Sequence, residues 1–148
     1  KNAYLLLGNA YNYQQQYEAA LQAYDRALQV APNYEEAQNN RFITLRTGGK
    51  YFGESQGDLA KALEWLQRAH DLRPEDYETL RLLGVAHGVA GQPETALQYF
   101  QQARDQQPEN AMAWWNLANA WYHVGDREKA AQLRAKAKEL DPNVGNQQ

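Results

Sequence analysis

Glycine, serine and histidine residues form the few short motifs in this sequence that could carry out chemistry. The string Gly53-Glu54-Ser55-Gln56-Gly57 spells G-x-S-x-G, which in α/β-hydrolases places a nucleophilic serine on a strained turn between a strand and a helix. No strand pattern precedes Ser55, the single serine of the chain, and no histidine has an evident place beside it. We favour the alternative interpretation, a glycine-rich insertion, and predict no catalytic residue.

Phosphate and metal sites are also not predicted. Gly48-Gly49-Lys50 lacks the upstream glycine of a phosphate-binding loop, and Tyr51 stands where that motif needs Ser or Thr. The chain has no cysteine, which excludes disulfides and thiolate-bound metals. Its histidines fall on three different predicted helices without i,i+4 pairing, so we expect neither a metal nor a cofactor. They are His70, His87, for which we expect a packing role, and His123.

Charge and hydropathy narrow the classes of partner. The 148 residues carry a formal net charge of -3, which argues against nucleic acid, because phosphate binding needs a strongly positive face. No apolar run approaches the ~18 residues of a membrane span, so membrane insertion is not expected. Apolar residues make up 43% of the chain, enough to form a continuous core.

An internal repeat organises the whole chain. The prolines at 32, 74, 108 and 142 are spaced by 42, 34 and 34 residues, and such a fixed period is the mark of a repeat architecture. Within each period, apolar residues recur at helical spacing, first on one helix and then on a second. Three further columns share the spacing: Ala20, Ala62, Ala96 and Ala130; Ala27, Ala69, Ala103 and Ala137; and Gly8, Phe42, Gly84 and Ala118.

The first and third periods match almost every position of the pattern large–x2–Leu–Gly/Ala–x2–Tyr, then Ala–x3–aromatic–x2–Ala, then Pro. The second period departs from it in its first helix, at Gln38, Arg41 and Phe42, and the fourth departs at Arg134. This pattern resembles the tetratricopeptide repeat. The resemblance implies an all-α fold, a right-handed α-α superhelix of four helix-turn-helix repeats whose stacked units share one core and a concave face. We expect a single domain over 1–148, with repeats at 1–34, 35–76, 77–110 and 111–144 and a short tail at 145–148.

The second repeat is eight residues too long, and its excess lies before Gly57, because Gly57, Gly91 and Gly125 keep the 34-residue spacing. We place the insertion near 46–56 and interpret it as an exposed, glycine-rich loop. Tyr51 and Phe52 would then be loop candidates for contact with a partner. The alternative is that they pack back onto the second repeat.

The resemblance further implies that the first helix of each repeat lines a peptide-binding groove. Asparagine is over-represented at the implied groove positions although it is a poor helix former. Its carboxamide can both donate to and accept from a peptide group, so a row of asparagines could hold an extended main chain. We predict the following groove residues: Asn9, Asn12, Tyr13, Asn40, Arg81, Trp115, Asn116, Asn119 and Tyr122.

The sequence therefore predicts a scaffold that binds another protein or peptide segment. Relatives that bind chaperone tails hold a carboxylate with basic residues, and Leu5, Glu78 and Leu82 stand at those positions here, so that ligand is not expected. Leu82 and Val85 instead suggest an apolar pocket in the third repeat. Two alternatives remain open: an architectural module that self-associates, and an enzyme that uses Ser55.

Overall fold

The computed structural model describes residues 1–146, and over this range the chain forms α-helices and no strands. The all-α fold class expected from the sequence is therefore confirmed. The helices follow one another as four helix-turn-helix pairs. Their bounds are α1 Asn2–Tyr13, α2 Tyr17–Val30, α3 Glu35–Glu54, α4 Leu59–Leu72, α5 Tyr77–Val89, α6 Pro93–Gln106, α7 Ala111–His123 and α8 Arg127–Leu140.

The helices are grouped in two compact units. The first unit ends at Arg73 and contains α1 to α4, and the second begins at Pro74 and contains α5 to α8. Within the first unit, α2 packs against α1 and α3, and α3 packs against α4. Within the second, α6 packs against α5 and α7, and α7 packs against α8.

Turn chemistry explains where the first helix of each pair ends. Gly91 and Gly125 follow α5 and α7 with φ of 76° and 101°, a backbone region that suits glycine. Gln15 occupies the same place after α1 with φ of 58°, and no other described non-glycine residue has positive φ. The N–H of Gln16 donates to the carbonyl of Tyr11 at 2.9 Å, the bond that closes such a helix end. The α1 end thus keeps the turn geometry with an unfavourable residue.

Small residues opposite large rings set the distance between paired helices. A Cβ added at Gly8 would lie 2.5 Å from Tyr24, and one at Gly84 would lie 2.6 Å from Phe100. Such distances are closer than packed atoms can approach, so α1 can meet α2, and α5 can meet α6, only because these side chains are absent. Tyr24 and Phe100 fill the space in return and are 1% and 8% exposed.

The glycine-rich segment of the second repeat is helical, so the predicted exposed loop near 46–56 is wrong. α3 runs on through this segment and is 20 residues long, seven more than α5 or α7. The turn that follows α3 has four residues, one more than the other turns within pairs. The eight extra residues are therefore about two helical turns plus one turn residue.

Close packing against α4 explains why glycines are tolerated inside α3. A Cβ at Gly48 would lie 2.7 Å from Trp65, and one at Gly49 would lie 2.8 Å from Leu66. Gly49 thus allows α3 to approach α4 closely, as Gly8 allows α1 to approach α2. The prediction that Phe42 is the counterpart of Gly8 and Gly84 in the second repeat is therefore wrong. Phe42 is instead buried in the core of the first unit.

The two aromatic residues assigned to the loop belong to that core. Phe52 is 9% exposed, and its ring meets the ring of Trp65 edge-on with centroids 4.9 Å apart. Tyr51 is partly buried, and its ring centroid lies 5.2 Å from that of Tyr17, the first residue of α2. The alternative stated for these residues, packing onto the second repeat, describes Phe52, which is not an exposed contact residue. The ring of Tyr51 instead packs beside Tyr17 of the first repeat.

Candidate functional site

Three of the predicted groove asparagines bond to each other and to neighbouring side chains inside the first unit. The hydroxyl of Tyr24 donates to Oδ1 of Asn9 at 2.6 Å, and Nδ2 of Asn40 donates to the same oxygen at 3.0 Å. Nδ2 of Asn12 donates to Oγ1 of Thr44 at 2.7 Å and to the hydroxyl of Tyr24 at 3.2 Å. Oδ1 of Asn12 is buried and has no hydrogen-bond partner among the described residues. These carboxamides are largely engaged in linking α1, α2 and α3.

Burial of Tyr24 makes this network sensitive to protonation. The ring is 1% exposed, and burial is the main cause that raises the pKa of its phenol above the ordinary value of 10. A hydrogen bond from Asn12 acts in the opposite direction. The neutral phenol can donate to Asn9, whereas a phenolate could not, so the network requires the protonated form.

The second unit contains a cavity of about 600 Å³ between α5, α6 and α7. Its lining is mainly apolar, and three polar side chains come from α7. The cavity exists partly because the α5 side of it carries glycine: a Cβ at Gly88 would have only the Cβ of Ala96 near it, at 4.0 Å. The lining residues are Gly84, Val85, Gly88, Val89, Gly91, Pro93, Ala96, Phe100, Asn116, Asn119, Ala120 and His123.

Two predicted groove asparagines, Asn116 and Asn119, line this cavity. Oδ1 of Asn119 accepts a hydrogen bond from Nη2 of Arg134 at 3.1 Å, which fixes the carboxamide. The carboxamide of Asn116 makes no hydrogen bond to another side chain within residues 1–146. The side of the cavity formed by α7 thus has polar groups able to bond to a ligand, next to apolar surface from Val85 and Phe100.

The predicted aromatic groove residues of α7 lie beside arginines, outside the cavity lining. The guanidinium of Arg134 is 5.5 Å from the ring centroid of Trp115 and 5.4 Å from that of Tyr122. A Cβ at Gly145 would lie 2.4 Å from the indole of Trp115, so the segment after α8 lies against this ring. Trp115 is therefore partly covered, although the sequence suggested an open contact surface.

Two other predicted groove residues also lie apart from the cavity. Arg81 donates from Nη2 and Nε to the two carboxylate oxygens of Glu78, at 2.6 and 3.0 Å, an ion pair within α5. Tyr13 ends α1 and is 92% exposed. Of the two residues that suggested an apolar pocket, Val85 lines the cavity, whereas Leu82 is buried outside its lining at 5% exposed.

The structure does not give the G-x-S-x-G motif the strand-to-helix turn that a nucleophilic serine of this type needs. Gly53 and Glu54 end α3, and Ser55 is the exposed residue that follows, so this serine does not sit between a strand and a helix.

Nδ1 of His87 hydrogen-bonds Oε1 of Gln92 at 2.7 Å, and its ring stacks on Tyr99, as expected of a packing residue. His123 lines the cavity.

Residues 1–146 contain neither a cluster of metal-binding side chains nor a helix suited to span a membrane. No group of three or more His, Asp or Glu side chains is placed to hold a metal ion. None of the helices in this range combines the length and apolarity needed to cross a membrane.

Several functional features could not be identified from the repeat columns. The columns do identify Gly84, Ala96 and Phe100 as residues packed between α5 and α6, but not as the wall of a cavity. Thr44 and Tyr24, which bond the first-unit asparagines, were missed because hydrogen bonds between helices leave no period in the sequence. A weak signal was present at Gly88, a glycine in the last turn of α5, where a close approach or an open space is expected.

Family comparisons match most of the chain. Two models described as tetratricopeptide repeat match residues 2–75 and 81–144. No match was found among curated proteins. The comparisons confirm the resemblance inferred from the repeat columns.

Solved structures with the same fold include three tetratricopeptide proteins. A crystal structure of MamA is 22% identical, with a TM-score of 0.71, and the match covers 93% of this chain and 76% of that one. YrrB, described as a TPR protein with an unusual peptide-binding site, is 22% identical, with a TM-score of 0.66 and coverage of 95% and 86%. The first TPR of Spaghetti (RPAP3), bound to the HSP90 peptide SRMEEVD, is 20% identical, with a TM-score of 0.63 and coverage of 69% and 80%.

Proposed function

Since the chain belongs to the tetratricopeptide repeat family, we propose that it is a non-catalytic scaffold that binds an extended segment of another protein, with the cavity of its second unit as the anchoring site. The observation that carries this proposal is the juxtaposition of an apolar cavity of about 600 Å³ with the carboxamides of Asn116 and Asn119. Ligand sites are commonly concave and largely apolar, with a few polar groups that fix orientation.

The two kinds of surface have different tasks in this proposal. The wall formed by Val85, Val89 and Phe100 receives one apolar side chain of the ligand, which supplies affinity through burial. The carboxamides of Asn116 and Asn119 bond the neighbouring peptide groups, each of which has one donor and one acceptor. Specificity then comes from the size of the anchoring side chain.

The asparagines of the two units have different roles. Asn9, Asn12 and Asn40 serve the first unit as a structural network, because their hydrogen bonds go mostly to side chains of the same unit. Asn116 and Asn119 serve recognition, because they line an open cavity. Tyr13, which is 92% exposed, and Tyr122, which is 40% exposed, are the other predicted groove residues with a large accessible surface.

The ligand class differs from that of an acidic chaperone tail. The solved relative RPAP3 is bound to the peptide SRMEEVD, whereas the cavity lining of this chain contains no lysine or arginine. Glu78 also pairs with Arg81 within α5 and neutralises it. We therefore expect a ligand with an apolar anchor and no requirement for a terminal carboxylate.

The test is a peptide-library selection on the chain, counter-selected with the Asn116→Ala/Asn119→Ala double variant. The matched control is Asn33→Ala/Asn143→Ala, which removes two exposed carboxamides outside the cavity. The proposal expects peptides with a shared apolar position that bind the wild type and the control but not the cavity variant. Peptides that bind all three proteins equally, or no enrichment at all, would refute it.

A further inference from the structure

Arg134 occupies a position that holds an apolar core residue in the other three repeats. Its counterparts Tyr24, Leu66 and Phe100 are 1%, 2% and 8% exposed, and each lies against a glycine of the paired helix. A charge at this position gives up the burial of a large apolar side chain. Such a departure from the packing pattern is expected where a residue has a function.

The guanidinium of Arg134 is held by polar and aromatic contacts but by no carboxylate. Nη2 donates to Oδ1 of Asn119 at 3.1 Å, and the ring centroids of Trp115 and Tyr122 lie 5.5 and 5.4 Å from the guanidinium carbon. Nε is buried and has no hydrogen-bond partner among the described residues. No Asp or Glu within residues 1–146 forms an ion pair with Arg134. A partly buried charge of this kind is stabilised when a counter-ion reaches it.

A second arginine of α8 contacts the same tyrosine ring. Arg127 lies seven residues before Arg134, so the two side chains leave nearly the same face of the helix, two turns apart. The guanidinium of Arg127 is 5.2 Å from the ring centroid of Tyr122, and it also forms no ion pair in the described part of the chain. We call Arg127, Arg134 and Tyr122 the α8 basic patch.

Another pair of cations in the second unit shows how such an arrangement is neutralised. Arg104 and Lys136 lie 4.8 and 5.9 Å from the ring centroid of Trp114. Each has a carboxylate partner in the chain, Asp105 at 2.8 Å and Glu139 at 3.9 Å. The α8 basic patch has two cations on one ring as well, but over residues 1–146 it has no carboxylate.

Asn119 connects the α8 basic patch with the cavity of the second unit. It lines the cavity, and its Oδ1 faces Arg134 because a guanidinium has only donors. The carboxamide therefore offers a ligand its Nδ2 donor. A ligand group at this place must be an acceptor, and the two arginines beside it favour an acceptor with negative charge.

We infer that the α8 basic patch binds the carboxylate of an aspartate or glutamate side chain in the segment whose apolar residue enters the cavity. The inference rests on the proposed function and adds a second feature to its ligand, an acidic residue close to the apolar anchor. A carboxylate accepts hydrogen bonds from guanidinium and amide N–H groups and supplies the counter-ion that the patch lacks. A side-chain carboxylate is sufficient for this, so the bound segment needs no free chain terminus.

A displayed library of random peptides, fused at both ends so that no terminal carboxylate is present, tests which residues accompany the anchor. It is selected on the wild type and on the Arg127→Gln/Arg134→Gln variant. The matched control is Arg104→Gln/Lys136→Gln, which removes the two cations on Trp114. The inference expects Asp or Glu to be enriched beside the apolar position on the wild type and on the control. On the patch variant the apolar preference should remain and the acidic preference should be lost.

The outcomes separate this inference from the proposed function. A shared apolar position without an acidic preference, or an acidic preference that the patch variant retains, overturns the inference and leaves the cavity as the anchoring site. An acidic preference that depends on the two arginines, without a shared apolar position, supports the patch and refutes the cavity as anchor. No enrichment at all refutes both.

A double-mutant cycle then distinguishes recognition from a structural role of the arginines. One selected peptide is compared with a twin in which the acidic residue is replaced by its amide. The twin should bind the wild type roughly tenfold more weakly, yet bind the wild type and the patch variant equally, because only the carboxylate interacts with the arginines. Arg127→Gln alone, at an exposed position, should cause part of the loss for the acidic peptide. Equal weakening of both peptides by these variants would overturn the inference, since the arginines would then only support the fold.

Discussion

Filling the second-unit cavity from Gly88 separates ligand binding from stability. Gly88 lies inside α5 and lines the cavity, and the nearest atom to an added Cβ would be the Cβ of Ala96 at 4.0 Å. A Cβ therefore fits at this position without a clash, and the cavity beside it provides space for further side-chain atoms. We expect Gly88→Leu to fold normally and to occupy the space that the ligand's apolar anchor needs.

The expected stability change follows from helix propensity. Glycine in a helix interior costs about 0.8–1.0 kcal/mol relative to alanine, and leucine is close to alanine. Gly88 is the second-last residue of α5, where the penalty is smaller than in the interior, so Gly88→Leu and Gly88→Ala should each raise the free energy of unfolding by up to about 1 kcal/mol. For a chain of this size the melting temperature should rise by up to roughly 4 °C.

The expected loss of peptide affinity follows from excluding the ligand's apolar side chain from the cavity. Burying one large apolar side chain contributes about 1.5–3 kcal/mol, and each 1.4 kcal/mol is a factor of ten in the dissociation constant. Gly88→Leu should therefore weaken binding of a selected peptide by roughly 10- to 100-fold. Gly88→Ala adds a single methyl group to a cavity of about 600 Å³ and should bind almost as the wild type does.

The assay is isothermal titration of a selected peptide against the wild type and both variants, after urea denaturation has ranked their stabilities. The reasoning is refuted if Gly88→Leu is at least as stable as the wild type and binds the peptide equally well, because the cavity would then not hold the anchor. A destabilised Gly88→Leu with a stabilised Gly88→Ala would instead show that the space at this position is smaller than the structure indicates.

Three further predictions concern the first unit. Gln15→Gly should raise the free energy of unfolding by about 0.5–1 kcal/mol, because glycine accepts the positive φ without a steric cost; urea denaturation with unchanged or lower stability would contradict this. Gly49→Ala should lower it by about 1–3 kcal/mol, because its Cβ would lie 2.8 Å from Leu66, in contrast to the same substitution at Gly88. Burial raises the pKa of Tyr24, so the folded state resists deprotonation, and the stabilising contribution, complete below pH ~10, is lost as pH rises above that value. Wild-type stability should consequently fall more steeply than that of Tyr24→Phe in alkaline denaturation series, and parallel curves would show that Tyr24 does not dominate.

The repeat could be predicted from sequence because its cause is periodic. Each pair of helices meets through small residues opposite large ones, as at Gly8 and Tyr24, so the packing itself repeats along the chain. Proline and the turn glycines mark the ends of helices for reasons that are local to the backbone. These signals were sufficient to identify the paired helices and their order.

The extension of α3 was not predicted, because the glycine content of the segment was considered without the residues of α4 that pack against it. Glycines lower the intrinsic stability of a helix, which favoured a loop for the segment with Gly48 and Gly49. The structure instead places Trp65 and Leu66 against the two glycines. The energy gained from this packing is not visible in the α3 sequence alone.

The candidate site was only partly predictable for a related reason. Asparagines at equivalent positions of two repeats have opposite surroundings: Asn9 bonds to Tyr24 and Asn40, whereas Asn119 lines a cavity. The difference depends on which side chains the neighbouring helices present. Column patterns describe where a residue lies on its helix but not whether its hydrogen bonds are already made.

The lengthened helix α3 also has a consequence for how this chain can change in length. Its seven extra residues rotate the helix by about 700°, only ~20° short of two full turns, so the glycines of its second half face α4 in the phase that Gly8 has towards α2. An insertion of five or nine residues would turn that face away by a large angle and expose the core side of α3 to water. Length variants of α3 that still fold should therefore differ by close to a whole number of helical turns. Removing seven residues rotates the remaining face by only about 20°, whereas removing four rotates it by about 40°, so the seven-residue deletion should be the better tolerated.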